Sequence, residues 1–287
     1  MRIRVDYSTV YDYSSLATDV VQLLRVEPCG HEAQHVLHWR LDTDVDGRLR
    51  RSHDSFGNVI HMFYADAPLQ RLALHVTGEV DTRDAGGRIV GAAEPLPPAI
   101  FLRATPLTTP DAAILALARR CADANALTTC HNLTVALYET MAFDADVTHS
   151  HTDAIHAYAL RAGVCQDYSH VFVAAARSLG IPARYVSGHL LRGDGLIVQP
   201  AGHAWVEALI PDLGWVGFDP TNGISITEHY LRVAVGLDYL DAAPVRGARR
   251  GGGAETLLVT VKTQDSQTPM VQQQGQQQGE QQAQSQS

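Results

Sequence analysis

Through the first third of the chain, apolar and polar residues alternate with a period of two. Ile3-Val5-Tyr7, Leu24-Val26, Leu37-Trp39-Leu41 and Leu72-Leu74-Val76 are short alternating runs separated by Gly and Asp turns. That period sends successive side chains to opposite faces of a strand, so residues 1–85 are expected to form an antiparallel β domain. Asp54-Ser55-Phe56-Gly57-Asn58 reads as one of its turns, because Gly and Asn reach positive φ at little cost. Residues 86–108 have the composition of a linker, with Glu94-Pro95-Leu96-Pro97-Pro98 near its centre.

Beyond the linker the period lengthens to nearly four. Thr109-Pro110-Asp111 supplies a cap, a first-turn proline and an acid, and Ile114, Leu115, Leu117, Ala118 and Cys121 follow mostly on one face, which predicts a helix. A second helix is expected over about 126–142. A third should begin near Thr152, with its hydroxyl as cap, and stop at Gly163. A fourth opens at Cys165, carries Val171, Phe172, Ala175 and Leu179 as its apolar face, and ends at Gly180 and Pro182. The period then returns to that of strands over residues 183–187, 204–210 and 215–219, the last two flanking the turn Pro211-Asp212-Leu213-Gly214 and therefore expected to pair as a hairpin. Residues 255–263 read as a final strand. The pattern as a whole is α+β, with residues 109–263 as a second domain. Residues 264–287, rich in Gln, Gly and Ser, hold too little apolar surface to offset ordering entropy and are expected to be disordered.

Cys165 stands where the fourth helix should start, and there unpaired N–H groups and the helix dipole favour a thiolate. By itself such a cysteine is more often a plain buried residue. A histidine, His203, opens the second of the late strands, and Asp219 closes the third, so the hairpin brings carboxylate and imidazole near one another. Simple counting across the turn does not by itself fix the two on one face, and a bulge or a longer turn is one way to bring them there. A cysteine on a helix followed by His and Asp on neighbouring strands is nevertheless the order of papain-like acyl-transfer sites. Gln166 and Asp167 are candidates for the cleft or for the helix dipole. His170 lies roughly 140° round the helix from Cys165 and is a supporting residue. Trp205 and Trp215 are candidates for the cleft wall or for support behind it.

Four stretches, Arg161-Ala162-Gly163-Val164-Cys165-Gln166-Asp167-Tyr168-Ser169-His170, Leu179 to Gly188, His203-Ala204-Trp205-Val206-Glu207 and Gly214 to Asn222, closely resemble the bacterial transglutaminase-like family. In the N-terminal domain, Leu24-Arg25-Val26-Glu27-Pro28 and Asp54-Ser55-Phe56-Gly57-Asn58 resemble the β domain that precedes the core in that family. The resemblance implies a papain/transglutaminase-like core of helices packed on an antiparallel sheet, with Cys165, His203 and Asp219 on the positions of the catalytic triad. Leu237 departs from the family pattern, which has arginine there.

Composition narrows the remaining choices. A net charge of -9 argues against a nucleic-acid partner, and no run approaches the roughly 20 apolar residues of a spanning helix. The first residues carry charges where an export signal needs an apolar stretch, so a cytoplasmic location is expected, without membrane association. Cys29, Cys121, Cys130 and Cys165 show no C-x-x-C spacing. The histidines at 31, 35 and 38 and at 149, 151 and 156 match no metal motif, and Asp42 to Gly47 lacks the closing acid of a calcium loop, so neither metal nor cofactor is expected. The reaction these residues point to is attack of a thiol on a peptide or protein amide, completed by water in a cysteine peptidase or amidase, or by an amine in a transglutaminase. A binding module that keeps the fold without catalysis, and an acyl transfer from a thioester to an arylamine, are the other readings.

Overall fold

The protein is described by a computed structural model covering residues 1–266, so the tail expected to be disordered lies, from residue 267, outside the described residues. β1 (Arg2–Leu24), β2 (Gln34–Thr43), β3 (Gly47–His53), β4 (Val59–Ala65) and β5 (Leu69–Thr82) build the first sheet around β1, which pairs antiparallel with β5 from Arg2 opposite Asp81 onward. Its alternation is carried by Ile3, Val5, Tyr7, Thr9, Tyr11 and Tyr13, all buried on one face. Each large apolar side chain buried this way contributes about 1.5–3 kcal/mol. The run Asp42 to Gly47 is the connection between β2 and β3, in which Asp44 accepts the Ala73 N–H.

After a two-residue strand, β6 (Arg88–Ile89), the chain forms α1 (Ala112–Cys121), α2 (Ala126–Thr140), α3 (Ala154–Leu160) and α4 (Cys165–Ser178). Two helix starts differ from those the sequence suggests. Asp111, not Thr109, caps α1 by accepting the Ile114 N–H at 2.9 Å. Asp153 caps α3 through the His156 N–H, and the Thr152 hydroxyl serves the preceding turn by accepting the His149 N–H. In each case the nearer acid wins, because a carboxylate satisfies the free N–H groups and also complements the dipole. Short parallel strands β7 (Ala142–Phe143) and β8 (Ala162–Gly163) bracket α3. α4 is enclosed on every side rather than amphipathic: Val171 through Ala176 are all within 1% of full burial, and the small residues at 174–176 let the neighbouring elements approach.

β9 (Ala183–Leu190), β10 (Val198–Gln199), β11 (His203–Ile210), β12 (Gly214–Asp219), β13 (Ile224–Ser225) and β14 (Tyr230–Gly236) follow. The second sheet runs β13-β12-β11-β9-β14, with β6 on β12. Val206, Ala208 and Ile210 of β11 meet α4 on one face, while Trp205 packs on the other with Phe101 and Trp215. After α5 (Tyr239–Ala242), the last strands β15 (Val245–Gly251) and β16 (Glu255–Asp265) return to the first sheet, where both pair with β1. The final strand thus extends to Asp265 and joins the N-terminal sheet, with Val259 opposite Thr9.

Two amide side chains tie the sheets together. Gln34 donates to the Arg232 carbonyl and accepts the Arg232 N–H, both at 2.8 Å. Asn58 does the same with Val235, again at 2.8 Å. A carboxamide offers a donor and an acceptor side by side, so each mimics a strand neighbour along β14. Among the described residues no helix is long and apolar enough to cross a membrane.

Candidate active site

Cys165 is the first residue of α4, half-buried, with a free thiol. The turn that delivers it is locked from behind. Asp167 Oδ2 accepts the Val164 N–H at 2.8 Å and the Thr148 hydroxyl at 2.7 Å. A Cβ on Gly163 would stand 2.5 Å from that oxygen, so only glycine lets the carboxylate fold back over the turn. Burial pushes the Asp167 carboxyl above its usual range. The Val164 carbonyl accepts the Asp167 and Tyr168 N–H groups, so of the first turn those of Cys165 and Gln166 are the ones without an intrahelical acceptor.

His203 opens β11 and Asp219 ends β12. The hairpin between them is regular, with Val206 opposite Phe218 and Ile210 opposite Gly214. Continuing that register sets Asp219 across from Trp205, two residues from His203 and on the same face. No bulge is needed. Three residues, Pro211 to Leu213, make the turn, and Asp212 absorbs its curvature with a φ of 64°.

His203 Nε2 and Asp219 Oδ2 lie 2.6 Å apart. The Cys165 thiol stands near enough to the imidazole to favour its charged form. Burial works against charge on His203, but the Asp219 carboxylate, by its charge and its hydrogen bond, and Cys165 overcome it and raise the imidazole to about 10. The imidazole is therefore protonated at neutral pH. Asp219 is fully buried and saturated: Oδ1 accepts the N–H groups of Thr221 and Asn222, and Oδ2 also accepts Asn222 Nδ2 at 2.6 Å and the Tyr230 hydroxyl at 2.8 Å. Burial alone would raise this carboxyl, yet His203 and the hydrogen bonds hold it below its ordinary value.

Cys165 and His203 face a cavity of about 240 Å3. One wall comes from α4, β9 and β11, including Gln166, Tyr185 and His189. The opposite wall comes from the N-terminal sheet, with Tyr7, Thr9 and Tyr11 of β1 and Leu257 and Val259 of β16. Of the remaining residues singled out in the sequence, Gln166 alone lines this cavity, and its Nε2 also donates to the Ser150 carbonyl. Asp167 braces the turn. His170 is fully buried behind the helix, where its Nε2 accepts the Tyr239 N–H and burial pushes the imidazole down to about 4, so it stays neutral. Trp205 and Trp215 do not line the cavity but belong to the apolar cluster on the sheet face that carries His203 and Asp219, the Trp205 ring 6.3 Å from the imidazole, Trp215 edge-on against Phe101 and covered by the Arg184 guanidinium at 3.9 Å.

Tyr230, Asn222 and the wall formed by β1 and β16 were not foreseen. Asn222 follows Asp219-Pro220-Thr221 in an Asx-type arrangement that turn chemistry could have suggested; Tyr230 and the strand wall carry no local signal. Beneath the site, Glu207 is fully buried between two arginines, Nε of Arg184 at 2.6 Å and Nε of Arg232 at 2.8 Å. Burial opposes its charge, but Arg232 and Arg184 hold it down at about 2. Among the described residues no three His, Cys, Asp or Glu side chains converge as a metal site.

Residues 116–220 match the model of the transglutaminase-like superfamily, and residues 3–81 match that of the bacterial transglutaminase-like N-terminal region. An uncharacterised protein of Mycobacterium leprae is 33% identical over 280 residues, covering 91% of this chain and 98% of its own length. A second uncharacterised protein, from Mycobacterium tuberculosis, is 27% identical over 283 residues, covering 86% of this chain and 87% of its own. A protein-glutamine gamma-glutamyltransferase of Pseudomonas aeruginosa is 35% identical over 106 residues, which is 32% of this chain and 15% of that protein. Among solved structures, a candidate cysteine protease from Cytophaga hutchinsonii superposes with a TM-score of 0.74 at 22% identity, over 94% of this chain and 92% of its own.

Proposed function

The chain belongs to the transglutaminase-like superfamily, and from that premise we propose that it is a thiol enzyme which attacks an amide carbonyl with Cys165, using His203 as acid and base and Asp219 to orient the imidazole. The reading rests on one observation, a buried Asp219 hydrogen-bonded to His203, whose imidazole lines the same cavity as the Cys165 thiol at the start of α4. In the proposed reaction the Cys165 sulfur attacks as thiolate and forms the C–S bond while the amide C–N bond breaks. The proton on His203 passes to the departing amine. Neutral His203 then takes a proton from water, which attacks the thioester, and C–S cleavage releases the acid. Free N–H groups at the α4 terminus supply donors for the oxyanion that develops in both steps.

Water is favoured as acceptor because hydrolysis requires no second cleft, which makes the protein a cysteine peptidase or amidase. The stretch of similarity to the Pseudomonas glutamyltransferase supports a second reading, in which an amine resolves the same thioester. A cytoplasmic location is part of the proposal and is supported by four unpaired cysteines. The test is mass spectrometry of a glutaminyl peptide incubated with enzyme and excess primary amine, beside Cys165→Ala. Hydrolysed product that depends on Cys165 is expected; a dominant amine adduct would move the assignment to transamidation, and identical spectra for the two proteins would remove the enzyme reading.

A further inference from the structure

The cavity has a second polar feature on its N-terminal wall. Arg25, the residue that follows β1, lines it beside Val26, Pro244 and Val245. The Arg25 side chain is only 9% exposed. Its backbone N–H donates to the Pro244 carbonyl and its Nε to Asp54 Oδ2 at 3.0 Å, but its Nη1 is buried without any hydrogen-bond partner. Asp54 has no capacity left for it. Oδ1 already accepts the N–H groups of Phe56 and Asn58, and Oδ2 accepts Asn58 Nδ2 along with Arg25 Nε. Asp241, the other acid whose charge senses Arg25, is engaged by the Leu237 N–H. The two segments of the β domain that stand out in the sequence, around Arg25 and around Asp54, thus meet to hold one guanidinium by its Nε side.

Leaving a buried N–H of a cation unmade costs about 1–3 kcal/mol or more, and such groups persist in folded proteins where something else completes them. The surroundings say what that is. In a chain of net charge -9, no Asp or Glu lines this cavity among the described residues, whereas Arg25 and protonated His203 both do. The rest of the lining is largely aromatic and aliphatic, with Tyr7, Tyr11, Tyr185, Tyr239, Leu257 and Val259. A planar guanidinium fixed at one edge presents parallel N–H groups that match the two oxygens of a carboxylate.

We propose that Arg25 recognises a carboxylate on the substrate, so that the cleft takes short peptidic amides that carry a free carboxylate, from a chain terminus or an acidic side chain, on an otherwise apolar body. This rests on the reading that Cys165 attacks amides, and adds what those amides look like. It also gives the β domain a task, since the residue that reads the substrate belongs to it while the nucleophile belongs to the core.

The experiment measures kcat/KM for two matched pairs of short peptides, one ending in a carboxylate or a carboxamide, the other carrying Glu or Gln at one position. Wild-type protein is expected to favour the carboxylate in at least one pair by roughly 10-fold, which corresponds to about 1.4 kcal/mol. In Arg25→Gln the ratio should fall to about one. Because the ratio is taken within a single preparation, any folding lost with the Arg25–Asp54 pair cancels. Equal rates for both members of both pairs, with turnover still dependent on Cys165, would overturn the proposal and leave the amidase reading standing; a preference that survives Arg25→Gln would also overturn it. Absence of any Cys165-dependent turnover would remove both.

Discussion

Tyr230 donates its hydroxyl to Asp219 Oδ2 at 2.8 Å, the same oxygen that binds His203 at 2.6 Å. Tyr230 lies on β14, two strands from β11 across β9, so its ring bridges the sheet to reach the carboxylate. With Asn222 on the same oxygen, it fixes the direction from which Asp219 meets the imidazole. In the proposed mechanism Tyr230 is a positioning residue.

Tyr230→Phe should lower kcat/KM about 10-fold, the scale of one hydrogen bond to a charged group, with a smaller change in KM. The ring still fills its place against Trp205, so the circular dichroism spectrum should stay that of wild type. A variant that loses its fold, or one that retains full activity, would contradict the role assigned to the hydroxyl.

The raised imidazole fixes the pH dependence. His203 stands at about 10 against an ordinary 6.5, so the stability it contributes is complete below about pH 6.5 and is lost as pH climbs toward 10. Activity that uses the imidazolium should accordingly show its alkaline limb near pH 10. Asp219→Asn removes the strongest raising influence and leaves burial in command, so the limb should move down toward neutrality. A pH profile of kcat/KM for both proteins checks this, and an unshifted limb in Asp219→Asn would disconnect the limb from the pair.

Glu207→Gln should cost about 3–5 kcal/mol in urea unfolding, because it strands Arg184 and Arg232 without their shared counter-charge. The wild-type carboxyl is held at about 2, so its contribution is intact above the usual 4.5 and fades only as pH falls through about 2. The gap in urea midpoint between the two proteins should therefore be steady from pH 5 to 8.

Asn58→Ala strips both hydrogen bonds from Val235 and leaves a buried N–H and carbonyl unmet, for a loss of about 3 kcal/mol. Asn58→Asp should be no milder, since a carboxylate would face the Val235 carbonyl and Asp54. Thermal melts of the two variants should both fall well below wild type, and an Asn58→Asp melt equal to wild type would rule out the paired-amide account.

What could be read from the sequence was whatever is written locally. Cys165 at a helix start, His203 at a strand start and Asp219 before a proline are visible because caps, glycines and periodicity act over a few residues. The family motifs extended that reading across both regions of the chain. The side on which His203 and Asp219 lie was not legible, because it turns on Asp212 adopting left-handed backbone in a three-residue turn. Trp205 and Trp215 read as cleft wall or its support because both neighbour candidate catalytic residues in sequence. Both join the cluster with Phe101 on the sheet face they share with His203 and Asp219, where Trp205 supports the imidazole from outside the cavity. The pairing of β16 with β1 joins Tyr13 to Glu255, and no local pattern encodes a contact of that separation.

That pairing also sets an order of events during synthesis. β1 is made before every other described element, yet the strand that completes its neighbourhood follows only after the helices, the second sheet and all three residues of the proposed triad have emerged. Domains ordinarily fold as they appear. Here the opening half must wait, its long strand held with one edge unfinished, and the wall opposite Cys165 closes only when Leu257 and Val259 arrive. A chain cut before Leu257 would carry the proposed nucleophile but lack part of the wall opposite it.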